Sequence, residues 1–357
     1  MPTRRLLLVD DSVVIRHGLT AALADAPGIE VAGSAASGRV ALMKIPLLQP
    51  DVVALDVEMP GMDGLETLAA IRQACPRLPV IMLNVPTPDG AAATIDALTC
   101  GARDYVMKPP AAVPSEEALT VLAGRLVSKI ALCFPEMSHS RTGQIEREDP
   151  LATGRVTHRI DVLAIGASTG GPQALMDLIP VFPAGFPVPI LIVQHMPPTF
   201  TRLLAERLAA RSTLRVAEGS LHQPLAAGHA WIAPGDFHLA VARDTDAVRI
   251  VTNQHAAENW CRPAADVLFR SVADVYGPHA LAVVLTGMGQ DGLKGCERIR
   301  AAGGQVLVQD EASSVVWGMP GFVARAGMAD RVVPLGELGA EILGRVRRHR
   351  PHGRVPA

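Results

Sequence analysis

The chain has 357 residues, 49% of them apolar, and a formal net charge of −2. That length fits two domains of ordinary size, each able to bury its own core. The near-neutral balance excludes the electrostatic pull of a nucleic-acid or anionic-membrane binder, and no apolar run approaches the ~20 residues of a membrane span. Five cysteines (Cys75, Cys100, Cys133, Cys261, Cys296) show no CxxC pair and no metal spacing. They read as reduced, small apolar core residues of a cytoplasmic protein. The opening Met1-Pro2-Thr3-Arg4-Arg5 runs straight into the apolar stretch Leu6-Leu7-Leu8-Val9, which is too short for a signal segment.

Strands are predicted at 5–9, 29–33, 52–55, 79–83 and 103–107, with helical stretches between them. This βαβ rhythm matches a flavodoxin-like open parallel sheet. Pro46 is expected to interrupt and kink the second helix. A helix from Ser115 to Cys133, opened by Ser115-Glu116-Glu117, closes a first domain at residues 1–133. Residues 134–158 are polar and aperiodic and read as an interdomain linker. A second domain is placed at 159–350, with strands near 160–165, 189–194, 281–285 and 305–309. Between them, Arg215–Ala217, Ala230–Ala233, His238–Val241 and Val248–Val251 are short and turn-separated, as in hairpins. The expected fold there is a doubly wound, mostly parallel α/β domain whose mixed sheet has an antiparallel hairpin portion. The tail from Arg345 carries Arg347, Arg348, Arg350 and Arg354 and reads as a solvated, frayed terminus.

Parallel α/β sheets place their sites beyond the carboxyl ends of the strands. In the first domain Asp10 and Asp11 follow the first strand, Asp56 the third and Lys108 the fifth. Strand-end aspartates are also common turn formers. Three converging carboxylates, however, call for a hard divalent ion such as Mg²⁺, and a lysine ammonium adds a point charge for phosphoryl oxygens. Carboxylate attack on phosphorus, giving an acyl phosphate, is the chemistry this set supports. With Met59-Pro60-Gly61-Met62-Asp63-Gly64 after Asp56, residues 5 to about 130 resemble the receiver domain of two-component response regulators. The resemblance implies Asp56 as phosphoacceptor, Lys108 on the phosphoryl group, and Asp10, Asp11, Asp56 and the Glu58 backbone carbonyl around Mg²⁺. The family usually has Ser or Thr at the end of the fourth strand; this chain has Asn84, followed by the bulky Val85. An amide differs from a hydroxyl in reach and shape, so phosphorylation is expected to occur yet to activate weakly.

In the second domain three strands lead to Ser168, His195 and Asp291. Gly166-Ala167-Ser168-Thr169-Gly170-Gly171 fits G-x-S-x-G between a strand and a helix predicted to start near Pro172. A phosphate-binding glycine loop is the competing reading. A strand-end His195 can be structural, and Asp291 can be a helix N-cap. Together the three form the working set of a serine hydrolase, with an ordinary imidazole near pKa 6.5 suited to moving the proton both ways. Their chain order, Ser…His…Asp, differs from that of α/β-hydrolases.

These motifs, with Gln194-His195-Met196-Pro197, Ile232-Ala233-Pro234-Gly235-Asp236, Cys261-Arg262-Pro263, Thr286–Gly292 and Gln309–Ser314, resemble the chemotaxis methylesterase family (CheB). The resemblance implies hydrolysis of glutamate methyl esters on methyl-accepting chemoreceptors and deamidation of certain receptor glutamines. It implies a chemotaxis histidine kinase as phosphodonor, the Met288 amide as oxyanion donor, no cofactor in the catalytic half, and an unphosphorylated receiver that covers the catalytic cleft. Two other readings stay open: a receiver-regulated hydrolase of a non-chemotaxis receptor, and a non-catalytic binding module.

Overall fold

The computed structural model describes residues 3–85, 87–110, 115–134, 158–245 and 247–348. The chain divides into two compact units, Met1–Arg141 and Thr142–Ala357. Of the expected linker 134–158, only Phe134 and His158 are described; the rest lies outside the described residues, as does the tail from residue 349.

The first unit alternates β1 (Arg4–Val9), α1 (Val13–Ala22), β2 (Ile29–Ala35), α2 (Gly38–Leu48), β3 (Val52–Asp56), α3 (Gly64–Ala74), β4 (Val80–Asn84), α4 (Pro88–Thr99), β5 (Asp104–Met107) and α5 (Glu116–Cys133). The sheet order is β2-β1-β3-β4-β5, all parallel. Helices cover both faces, so β3 and β4 are buried along their whole length and read as unbroken apolar runs. Side chains of Ser12, Ser37, Asp63, Thr87 and Ser115 cap the five helices. Pro46 does not interrupt α2, which runs on to Leu48. It sits in the last turn, where its missing N–H removes a single bond. Val9 pairs with Leu55, and Asp56 with Leu83, so the strands end level at Asp10, Asp56 and Asn84.

The second unit comprises β6 (Val162–Ala167), α6 (Gly171–Leu178), β7 (Ile190–Gln194), α7 (Phe200–Arg211), β8 (Arg215–Glu218), β9 (His229–Ile232), β10 (His238–Arg243), β11 (Val248–Asn253), α8 (Ala265–Tyr276), β12 (Ala280–Val284), α9 (Leu293–Ala301), β13 (Gln305–Gln309), α10 (Met319–Arg325), β14 (Arg331–Val333) and α11 (Leu335–Arg347). Seven strands form one sheet in the order β14-β13-β12-β6-β7-β9-β8. Every pairing in it is parallel. The expected mixed sheet therefore resolves into two sheets. β8 and β9 extend the parallel sheet, and β10 and β11 form an antiparallel pair, as a sheet of their own. Successive crossovers diverge on either side of β6 and β12, which opens a crevice at their carboxyl ends. Nor is the tail frayed from Arg345: that residue and Arg347 belong to α11, and the Arg345 guanidinium donates to Glu341 and Gln305 at 2.7 and 2.8 Å.

Candidate active site

Ser168 follows β6 and is pinned by its neighbours. Its amide donates to the Thr286 carbonyl (3.0 Å), and its carbonyl accepts from Gln194 Nε2 (2.9 Å). Gly170 turns the chain into α6 at φ +78°, a conformation that favours glycine. Gly287 brings the loop after β12 against the serine; a Cβ there would lie 2.8 Å from Ser168 Cβ. The loop is held by Thr286, whose amide donates to Gln309 Oε1 at 2.8 Å and whose hydroxyl donates to the Thr169 carbonyl at 2.9 Å. Met288 follows at the loop's crest, half exposed.

His195 stands one strand over. Its amide donates to the Ala167 carbonyl (3.1 Å), which sets it beside the β6 terminus. The imidazole Nε2 lies 2.7 Å from Asp291 Oδ2. Asp291 also accepts from the amides of Ala265 (2.6 Å) and Asp266 (3.1 Å) and from Asn259 Nδ2 (2.9 Å). It does cap a helix, as its residue type allowed, but the helix is α8, whose own N-cap Ala264 has no side chain to offer. Burial alone would raise the Asp291 carboxyl; the bonds from His195 and the two amides outweigh it and hold the group low. Burial alone would lower His195; the bonds to Asp291 and Cys261 outweigh it and push the imidazole up to about 9. The ordinary value expected from sequence does not apply in this setting.

The second imidazole nitrogen, Nδ1, meets Cys261 Sγ at 3.4 Å. Cys261 is half-buried and faces polar chemistry, Cys75 is half-buried and Cys100 is exposed, so the reading of the cysteines as core residues holds at Cys133 and Cys296 and fails at the other three. Among the described residues no hydrogen bond joins Ser168 to His195. The structure thus joins His195 to Asp291 directly and places Ser168 on the adjoining strand end. Asn259, the α8 amides and the contact of Cys261 with His195 escape sequence reasoning, because no spacing ties them to partners 25 to 66 positions away. A cleft of about 500 Å³ opens over His195, walled by Met196, Pro197, Pro198 and Trp260 and, on another side, by Asp236 and Arg262. The last two are paired at 2.6 Å.

A second polar cluster sits at the carboxyl end of the first unit's sheet. The Lys108 ammonium lies 2.7 Å from Asp56 Oδ1 and 3.1 Å from Asp10 Oδ2. Asp10, Asp11 and Asp56 bring carboxylate oxygens within 4.8 Å of one another. Burial first, then the neighbouring Asp10 charge, pushes Asp56 up to about 6, and burial raises Asp10 as well. Three carboxylates against one ammonium fit a divalent metal site. Asn84 is fully buried beside them, and among the described residues neither polar atom of its amide has a hydrogen-bond partner. A side chain at position 90 would collide with it, since a Cβ on Gly90 would stand 2.4 Å from Asn84 Oδ1. The Thr87 hydroxyl accepts from Gly90 N (3.0 Å) and donates to exposed Glu58 Oε1 (3.5 Å).

Residues 163–342 match the CheB methylesterase family, and residues 6–118 match the response regulator receiver domain. The chain is 51% identical to a protein-glutamate methylesterase/protein-glutamine glutaminase of Trichodesmium erythraeum, across 97% of this chain and 100% of that one. A relative of the same name from Nocardioides sp. is 47% identical, across 100% of this chain and 99% of its own. Among solved structures, the CheB methylesterase catalytic domain of Thermotoga maritima is 40% identical. The match covers 52% of this chain and 98% of that domain, with a TM-score of 0.51. Similarity that runs the length of both units, together with a histidine–carboxylate pair at the sheet's carboxyl edge, leads to one assignment: the chain belongs to the CheB methylesterase family and carries a response regulator receiver domain ahead of its esterase domain.

Proposed function

We infer that this enzyme hydrolyses glutamate methyl esters on methyl-accepting chemoreceptors and deamidates certain receptor glutamines, under control of Asp56 phosphorylation by a chemotaxis histidine kinase. The observation that carries the reading is the His195–Asp291 pair at 2.7 Å, whose members follow the two strands that flank the one leading to Ser168.

Ser168 Oγ attacks the side-chain carbonyl of the glutamyl ester. Nε2 is committed to Asp291, so Nδ1 takes the serine proton and returns it to departing methanol, a step that requires Nδ1 to exchange its Cys261 Sγ contact for Ser168 Oγ. Asp291 orients the ring and stabilises the imidazolium. The Met288 amide stabilises the oxyanion, a contribution of about 2.7–4 kcal/mol for one such donor. Water then releases glutamate; with an amide substrate, ammonia leaves in place of methanol.

In the receiver, Asp56 accepts the phosphoryl group and Lys108 contacts its oxygens. Asp10, Asp11, Asp56 and the Glu58 backbone carbonyl would hold Mg²⁺, which when bound supplies positive charge for those oxygens. Asn84 holds the switch position with an amide. Among the described residues no helix is long and apolar enough to cross a membrane; action on receptor tails would place the enzyme in the cytoplasm. The non-chemotaxis and binding-module alternatives lose ground to relatives that share one name along their full length.

Methanol release from methylated receptor membranes tests the reading. Ser168→Ala should lower it about 10⁶-fold while Asp56 phosphorylation persists. Release retained in the purified variant refutes the nucleophile.

A further inference from the structure

Residues Glu258–Cys261 close a tight turn: the Cys261 amide donates to the Glu258 carbonyl at 2.9 Å, and the Glu258 amide donates back at 3.1 Å. The two central residues, Asn259 and Trp260, have φ values of +52° and +63°. That is the pattern of a two-residue type I′ turn, for which Asn-Gly is the favoured pair. Asn suits the first position. Trp at the second is strained, because a side chain there crowds the backbone.

The residues on either side of Trp260 are engaged inward. Asn259 Nδ2 bridges Asp291 and Asp266 at 2.9 Å each, and Cys261 Sγ touches His195 Nδ1. Trp260 is thrown outward and is 101% exposed, the most exposed large apolar side chain described. It borders the cleft over His195. The other two tryptophans behave differently: Trp231 is core, and the Trp317 indole donates to the Gln309 carbonyl. Trp260 therefore combines a strained backbone with an uncovered indole, and glycine would relieve both. Strain of this kind persists at sites that bind, and exposed tryptophan is the residue type that most often anchors a contact.

We propose that Trp260 is a substrate-contact residue that grips the receptor polypeptide flanking the glutamyl ester, through apolar side chains next to the reacting residue. The occupant follows from continuity, since Trp260 borders the same cleft as His195. The proposal rests on the esterase reading above, and its test separates the two.

The probe is a labelled synthetic receptor segment carrying one glutamyl methyl ester. Its affinity is measured on Ser168→Ala, which binds without turnover, with and without Trp260→Gly and Trp260→Phe. Trp260→Gly should weaken binding about tenfold, and Trp260→Phe should recover most of it. In the otherwise unmodified enzyme, Trp260→Gly should raise KM for the segment by a similar factor with kcat kept. Hydrolysis of p-nitrophenyl acetate should stay within about twofold and the thermal midpoint should hold or rise, because glycine suits the left-handed turn. Equal segment affinity with and without the indole overturns the proposal. So does an equal loss on both substrates, which would mean that the residue merely positions Asn259 and Cys261. A wild-type dimer in sedimentation that Trp260→Gly dissolves, with segment binding unchanged, also overturns it, since the occupant is then a second copy. Indole-dependent binding without methanol release counts against the esterase reading and leaves the Trp260 contact standing.

Discussion

Two sets of buried carboxylates lie at the carboxyl ends of parallel strands in this protein, and they are built on opposite principles. Asp291 accepts from an imidazole, two backbone amides and a carboxamide, and its carboxyl is held low. Asp10 and Asp56 share one lysine, and both are raised. A carboxylate whose charge is fully answered by the protein can orient a neighbour and stay fixed. Carboxylates left short of positive charge are unstable alone and are suited to taking it from outside. Position at a strand end is common to both; the number of donors around each group separates them.

The same substitution in the two places should therefore act with opposite sign on stability. Asp291→Asn keeps one acceptor oxygen and puts an NH2 donor where the other stood, so either His195 and the Ala265 amide or Asn259 and the Asp266 amide lose their acceptor. It should lower kcat about 10⁴-fold and destabilise the esterase domain by about 2–4 kcal/mol. Asp56→Asn removes a disfavoured charge. In metal-free buffer at pH 7 it should stabilise the receiver by about 1–3 kcal/mol while abolishing phosphoryl uptake. Kinetics and calorimetry on both variants check this pair; a stability change of the same sign in both would defeat the contrast.

A smaller effect concerns pH. His195 must be neutral to accept the serine proton, and its imidazole is pushed up to about 9. kcat/KM should climb between pH 7 and 9 and level off above. The stability supplied by the raised imidazole has the reverse sense: it is full below the unfolded value of about 6.5 and is lost as pH rises through the folded one. Cys261→Ala removes one of the bonds that raise the imidazole, so the kinetic inflection should move to lower pH. A profile that Cys261→Ala leaves in place would show that the thiol has no influence on the ring.

The smallest effect expected is at Asn84. With an amide in place of a hydroxyl in the switch position, a small phosphodonor should stimulate methanol release by less than about fivefold, and Asn84→Thr should increase that factor. Strong stimulation of the unmodified enzyme would show that the amide serves as well as a hydroxyl.

Much of the plan was legible beforehand because it rests on local chemistry. Apolar strands such as Val52–Leu55 and Ile190–Val193 can only be buried, and caps such as Ser115 and Asp63 mark where helices begin. The 215–232 segment misled because short strands joined without helices look like hairpins, whereas pairing is decided by which strand edge is free. Asp291 was legible as a capping residue but not as the cap of α8, a helix that lies earlier in the chain.

The sequence by itself determined that Ser168, His195, Asp291, Asp10, Asp56 and Lys108 follow strands, and hence that they gather at carboxyl edges, because strand period and turn residues are properties of a few neighbouring positions. Only the tertiary structure decided which atoms meet: Nε2 on Asp291, Nδ1 on Cys261, Asn259 on Asp291 and Asp266, and Trp260 outside. Those meetings depend on where one strand edge ends against another helix's first turn. Folding sets that geometry through packing across the whole core, and no spacing along the chain records it.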